Sequence, residues 1–180
     1  MSVENVVASS SIGQELDLDD VAFDLDGAEY DPGQFPGVIY RTRDPETTAL
    51  IFRSGKVVVT GAQSVADTRA SVVIVREQFA DLGIEVRDDT PVAVQNIVAS
   101  ADLGAKLNLN AIAIGLGLEA VEYEPEQFPG LVYRLDDPEV VVLLFGSGKL
   151  VLTGGTETEQ ARRALETVRS DLDSLGLLGL

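Results

Sequence analysis

Few side chains in this 180-residue sequence are equipped to make or break bonds. It has no Cys and no His. That excludes a disulfide frame, a zinc site built on those ligands, and proton transfer or nucleophile activation through imidazole. Acids are plentiful, 30 against 13 Lys and Arg, yet nothing in their spacing singles out an acid–base pair. The acid-dense stretch from Asp17 to Glu29 suggests a calcium loop. In the EF-hand register anchored on Gly27, Ala22 falls at the first ligand position and Gly33 at the bidentate one, so the motif fails. Gly146-Ser147-Gly148-Lys149 has the look of part of a phosphate loop. Leu150 stands where that loop needs a hydroxyl, and the segment reads as a turn between strands rather than the start of a helix. No catalytic residue, metal or cofactor is expected.

What the sequence does carry is a second copy of itself. Tyr30 to Gly61 is repeated at Tyr123 to Gly154 with a constant offset of 93, and 19 of 32 positions are identical. The match extends upstream, where Glu4-Asn5-Val6-Val7-Ala8-Ser9 parallels Gln95-Asn96-Ile97-Val98-Ala99-Ser100. Residues 1–90 and 91–180 are therefore expected to be two similar halves, with a short charged boundary from Asp88 to Pro91. Two copies are too few for a stacked solenoid. A paired arrangement in which any site occurs twice is the better expectation. Two of the three Lys, Lys56 and Lys149, fall at equivalent positions although Lys is otherwise scarce.

The elements that must position these residues read alike in both halves. A strand opens each, at Asn5 to Ile12 and Gln95 to Asp102. A short helix follows, at Leu18 to Leu25 and Leu109 to Leu116. Runs rich in Val, Ile and Leu come next: Val38 to Arg43, Thr47 to Phe52 and Lys56 to Thr60, then Leu131 to Leu135, Val140 to Phe145 and Lys149 to Thr153. Ser54-Gly55 and Ser147-Gly148 suit hairpin turns. A long helix closes each half, Ser64 to Leu82 and Thr156 to Leu175, with Ser64 and Thr156 as expected N-caps. The pattern of strand, helix, four strands, helix, written twice, predicts an α+β fold with antiparallel pairing. One strand face must pack on the helices. The other, with Thr48, Leu50 and Phe52, and Val141, Leu143 and Phe145, is also apolar and has no helix to cover it. Such a face marks a further packed layer or a binding surface.

Charge and composition set the surroundings. The net charge is −17, and 45% of residues are hydrophobic, enough for a core and too many for a disordered chain. A carboxylate-covered, Lys-poor surface fits a protein working in concentrated salt, where screening shortens the reach of self-repulsion. Taken alone, the same charge argues against nucleic-acid binding. The start, MSVENVVASS, lacks the basic and apolar regions of a signal peptide, and no stretch approaches a membrane span. A soluble, cytoplasmic protein with no membrane partner is expected.

The paired Asn-Val/Ile-Val-Ala openings, paired QFPG segments, DPE, SGK turns and VxTG endings, in order and twice, resemble the core of the TATA-binding protein family over nearly the whole chain. With the charge, they resemble a haloarchaeal member lacking an N-terminal extension. The resemblance implies a saddle: two pseudo-symmetric repeats sharing one curved antiparallel sheet of about ten strands, with four helices on the convex side. It also implies a general transcription initiation factor whose concave face binds the minor groove of A·T-rich double-stranded promoter DNA. Phe35 with Phe52, and Phe128 with Phe145, match the wedges that kink the DNA. Asn5 and Asn96, with Thr60 and Thr153, match donors to minor-groove acceptors. Val7, Val98, Val58, Val151, Leu50 and Leu143 match the floor, and Arg41, Arg134, Lys56 and Lys149 match phosphate contacts. Glu124, Glu126 and Gln127 match the loop that docks transcription factor B, through which RNA polymerase is recruited indirectly, and here the first half has Asp31 and Gly33 in place of the two acids. Glu4 departs from Gln95, and Arg53 from Gly146. With DNA absent, the apolar face is a candidate for homodimer formation. Two other readings stand beside this one: a promoter-selective paralogue, and a duplicated α+β protein that binds a small ligand.

Overall fold

The computed structural model describes residues 1–178, so the last two residues of the second expected repeat lie outside the described residues. The chain divides into two compact units. The first runs from Asn5 to Gln95, and the second takes Asn96 onward together with Met1–Glu4.

In the first unit, β1 (Ser2–Ser11), which belongs to it from Asn5 on, is followed by α1 (Leu18–Asp24), β2 (Val38–Arg43), β3 (Glu46–Ile51), β4 (Lys56–Ala62) and α2 (Val65–Asp81). The antiparallel order is β2-β3-β4-β1. In the second unit, β5 (Ala93–Asp102) leads to α3 (Leu109–Leu116), β6 (Val121–Glu122), β7 (Leu131–Asp136), β8 (Glu139–Leu144), β9 (Lys149–Gly155) and α4 (Thr158–Ser174). Its antiparallel order is β5-β9-β8-β7-β6. The described residues thus form nine strands and four helices, against the expected ten or so strands. The missing strand is the first-unit counterpart of β6. Val121 there pairs with Tyr133, whereas the equivalent Ala28 forms no strand and only a single bridge joins Glu29 to Ile39. Ala is a poorer fit than Val to a pleated, half-buried edge, which accounts for the loss.

Each unit has its own core. Val72, Val75 and Phe79 of α2, with Leu18 and Val21 of α1, bury against Val38, Ala49, Ile51, Val57 and Val59. In the second unit, Ala164, Val168 and Leu172 of α4 and Ile112 of α3 bury against Leu131, Val142, Leu144, Leu150 and Leu152. Phe79 and Leu172 occupy equivalent places and are fully buried, each contributing about 1.5–3 kcal/mol relative to exposure. The first core holds a cluster of buried Thr and Ser hydroxyls. Thr47 Oγ1 lies 2.7 Å from both Thr42 Oγ1 and Ser71 Oγ, and all three residues are buried. The second unit has Leu135, Val140 and Ala164 at those positions.

The helices begin as their caps dictate, with one correction. Ser64 caps α2 by accepting from the Asp67 N–H at 3.1 Å. Thr156 does not cap α4. Glu157 does, in a reciprocal box with Gln160, and Thr156 donates its own N–H to Gln160 Oε1. The offset of 93 already points from Ser64 to position 157. The boundary between repeats is pinned rather than loose: Arg76 Nη2 donates to the Thr90 carbonyl and to Ser10 Oγ, both at 2.8 Å. No helix among the described residues is long and apolar enough to cross a membrane.

Candidate nucleic-acid interface

Strand alternation sends one set of side chains into each core and leaves the other set on an open face. In β3, Thr47, Ala49 and Ile51 are buried while Thr48 and Leu50 stay partly exposed. In β8, Val140, Val142 and Leu144 are buried while Val141 and Leu143 stay partly exposed. The register lines the open residues into rows. Ile39, Leu50 and Val58 are successive partners across β2, β3 and β4. Val132, Leu143 and Val151 repeat that row in the second unit. Val7 and Val98 sit on the same faces, on β1 and β5. The expected floor residues Val7, Leu50 and Val58 are thus brought together in one unit, and Val98, Leu143 and Val151 in the other. Ile39 and Val132 complete the rows without having been singled out by motif. Their signal is strict alternation with the buried Val38 and Leu131.

At one end of each row stands an Asn–Thr pair held by a bulge. Val6 pairs with Ala62 but Ala8 pairs with Val59, so Thr60 and Gly61 together oppose Val7. The same slip sets Thr153 and Gly154 against Val98. Gly61 and Gly154 take φ of +84° and +103°, conformations open to glycine and strained for other residues. Each bulge turns its glycine N–H toward the Asn, and Asn5 Oδ1 and Asn96 Oδ1 accept these at 2.7 Å. Only an oxygen can accept, so the amide orientation is fixed. Asn5 Nδ2 then donates to Thr60 Oγ1, and Asn96 Nδ2 to Thr153 Oγ1, both at 3.1 Å. Each amide keeps one N–H uncommitted, and each Thr hydroxyl, 3.5 Å (Thr60) or 3.3 Å (Thr153) from the Asn oxygen, can turn its proton either to that oxygen or outward. The motif residues Asn and Gly therefore have a structural job that also leaves two donors on offer.

The aromatic residues form two pairs. Phe35 and Phe52 have ring centroids 5.7 Å apart and are tilted at 60°. Phe128 and Phe145 lie 5.9 Å apart at 67°. Both geometries are of the favourable edge-to-face kind. None of the four is a core residue: three are partly exposed and Phe128 is 39% exposed. The remaining two behave differently, Phe79 being wholly buried and Phe23 90% exposed on α1.

The four expected phosphate contacts are exposed, but the arginines are not free. Arg41 Nη1 meets Glu29 Oε1 at 3.0 Å, and Arg134 Nη1 meets Glu122 Oε1 at 2.7 Å, again at equivalent positions. Lys56 and Lys149 make no ion pair among the described residues. Glu4 accepts from the Ser100 hydroxyl at 2.6 Å, while its counterpart Gln95 donates to Ser9 Oγ at 2.9 Å. Glu124, Pro125, Glu126 and Gln127 are all exposed, on a turn closed by the N–H groups of Gln127 and Phe128 bonding the Glu124 carbonyl.

Open apolar strand faces, paired aromatics and Asn–Thr pairs thus occur twice, at equivalent places on an α+β frame. The family model described as transcription factor TFIID, or TATA-binding protein, matches residues 1–82 and 91–175. The chain is 66% identical to TATA-box-binding protein E of Halobacterium salinarum over 99% of its length and 96% of the relative's. It is 65% identical to the TATA-box-binding protein of Haloarcula marismortui over the same shares. The solved structure of Methanococcus jannaschii TBP superposes with a TM-score of 0.84 at 49% identity, covering 96% of this chain and 98% of that one. The chain belongs to the TATA-binding protein family, whose members are transcription factors and not enzymes.

Proposed function

We propose that the chain binds the minor groove of TATA-box DNA through its open strand faces, kinks it with the two Phe pairs and offers Glu124, Glu126 and Gln127 to transcription factor B. The observation that carries this is the bulge-held Asn–Thr pair beside an apolar row. A·T pairs show only acceptors in the minor groove, adenine N3 and thymine O2, and a fixed amide donor beside a rotatable hydroxyl suits them. A G·C pair adds the guanine amino group, which finds no acceptor on Val58 and Leu50 or on Val151 and Leu143. Leaving it desolvated and unpaired costs about 1–3 kcal/mol. Rings that are exposed in the free protein gain from leaving water, at about 25 cal/mol per Å² of apolar area, which offsets part of the unstacking cost.

A gel shift in molar KCl with a TATA duplex and a G·C-substituted control tests the reading. Preferential retention of the TATA duplex is expected, and equal retention of both would overturn it. Fluorescence transfer across an end-labelled duplex should show a smaller bend for Phe128→Ala with Phe145→Ala. Halobacterium salinarum alone has relatives named TATA-box-binding protein B, D, E and F, at 63–66% identity to this chain. Such multiplicity favours a promoter-selective role as the second reading. Comparing affinities across a panel of promoters separates it from a general one.

A further inference from the structure

The two aromatic pairs share a detail that the QFPG motif hides in plain view. Each straddles the glycine that ends the motif. A Cβ built on Gly130 would lie 2.7 Å from Phe128 Cε2, 2.9 Å from Phe145 Cε1 and 3.3 Å from the Leu144 carbonyl oxygen. On Gly37 it would lie 2.9 Å from Phe35 Cε2, 3.1 Å from Phe52 Cε1 and 3.2 Å from the Ile51 carbonyl oxygen. Both rings of each pair therefore rest their edges on one bare Cα. The carbonyl of the neighbouring strand stands on the same side, so an added methyl would be confined between that oxygen and the two rings. Both glycines are buried and stand immediately before a strand, Val38 of β2 or Leu131 of β7. Neither has a positive φ, so backbone conformation does not demand glycine there. What demands it is the room beneath the rings.

We infer that Gly37 and Gly130 are positioning residues that set how far each Phe pair stands out from its strand face, and so how deeply the rings reach between base steps. This rests on the reading of the Phe pairs as DNA wedges. A methyl group at either site acts as a shim. It cannot sink into the sheet, so it lifts or splays the ring edges above it. Rings raised or splayed by a few tenths of an ångström no longer meet a base step at the depth of the parent protein. The bend angle then changes while the fold persists. The second unit is the tighter seat, with two contacts under 3.0 Å against one in the first.

The test compares Gly130→Ala, Gly37→Ala, Phe128→Leu and the double variant Gly130→Ala with Phe128→Leu. Each is saturated with an end-labelled TATA duplex in molar KCl, and the bend is read by fluorescence transfer beside the affinity. Gly130→Ala should shift the bend and weaken binding about tenfold, the scale of a one-methyl overpacking. Gly37→Ala, with the looser seat, should do less and remains informative if the first variant melts early. In the Phe128→Leu background, where only the Phe145 edge remains above the methyl, adding Gly130→Ala should change the bend by less than it does in the parent. A parent-like bend for both glycine variants overturns the inference while leaving the wedge reading intact. So does an equal effect of Gly130→Ala with and without Phe128, since a general loosening of the fold would act in both backgrounds. A parent-like bend for Phe128→Leu strikes instead at the wedge reading, and the seat falls with it.

Discussion

Replacing Asn96 separates its two jobs. Its Oδ1 accepts the Gly154 N–H at 2.7 Å, and its Nδ2 donates to Thr153 Oγ1 at 3.1 Å. Asn96→Ala deletes both bonds. The Gly154 N–H lies at an exposed position where water can replace the lost acceptor, so folding should lose only about 0.5–1.5 kcal/mol. For DNA, the variant forfeits the free amide proton, about 1–3 kcal/mol or five- to 150-fold in affinity. Asn96→Asp behaves in the opposite order. The carboxylate still accepts from Gly154, now with charge assistance, so folding should change by about 1 kcal/mol or less. Its second oxygen, however, faces Thr153 as an acceptor and draws the hydroxyl proton away from the open face. Two donors disappear and a negative charge meets the groove acceptors, a loss of about 2–6 kcal/mol, or 30- to 10⁴-fold. Thermal melting should therefore rank Asp above Ala, and anisotropy on a TATA duplex in molar KCl should rank Ala above Asp. If both variants bind DNA alike, or if Asp binds the better, the amide is not acting as a donor and the account of A·T preference fails.

Three further outcomes follow from the structure. Burial, with the 2.9 Å bond to Asp171 and that residue's charge, pushes the Tyr133 phenol up from 10.0 to about 12. Between pH 10 and 12 the unfolded chain sheds this proton and the folded chain keeps it, so stability should fall as pH rises through that window; Tyr133→Phe should flatten the fall in alkaline melts, and an unchanged slope would refute it. Thr47→Val alone should cost about 1–2 kcal/mol, because Thr42 and Ser71 each lose a buried partner, whereas Thr42→Leu, Thr47→Val and Ser71→Ala together, copying the second unit, should come near parent stability; additive losses in denaturant melts would count against this. TATA binding should be weak in dilute buffer and strengthen toward molar KCl, because acids such as Glu4 beside the open face need cations to bridge them to phosphate; a steadily negative salt slope, the ordinary outcome of counterion release, would sink the idea.

Much of the fold was legible because it rests on short-range signals written twice. Runs of Val, Ile and Leu between turn signals gave the strands, the apolar faces gave α2 and α4, and Ser64 gave its own cap. The open apolar face was legible for the same reason, since Leu50 and Leu143 alternate with buried neighbours. What escaped was set by contacts distant in sequence. The Asn5–Gly61 bond spans 56 residues and depends on a one-residue slip between β1 and β4 that no local pattern announces. The seat beneath the rings needs Gly130, Phe128 and Phe145 together, so the glycine showed only as the last letter of the QFPG motif. The missing first-unit edge strand turned on Ala28 against Val121, a difference that matters only at a half-buried edge. Thr156 was misread because a threonine before a helix is a good cap in isolation; the repeat register carried the right answer.

The matched ion pairs Glu29–Arg41 and Glu122–Arg134 have one more implication. Both are more than half exposed, so each contributes little to folding, about 0–1 kcal/mol. Their use lies in rehearsal. A guanidinium resting against a carboxylate already holds the extended, forked pose that a phosphate oxygen would require. If these arginines meet phosphate as proposed, the resident acid holds the place and is displaced at small cost. An arginine left waving in solvent would have to be gathered in from many rotamers first. On the proposed reading, a glutamate displaced by phosphate stays tethered beside its arginine, ready to reclaim it when the duplex leaves, so the carboxylate that readies the arm for capture would also hasten its release.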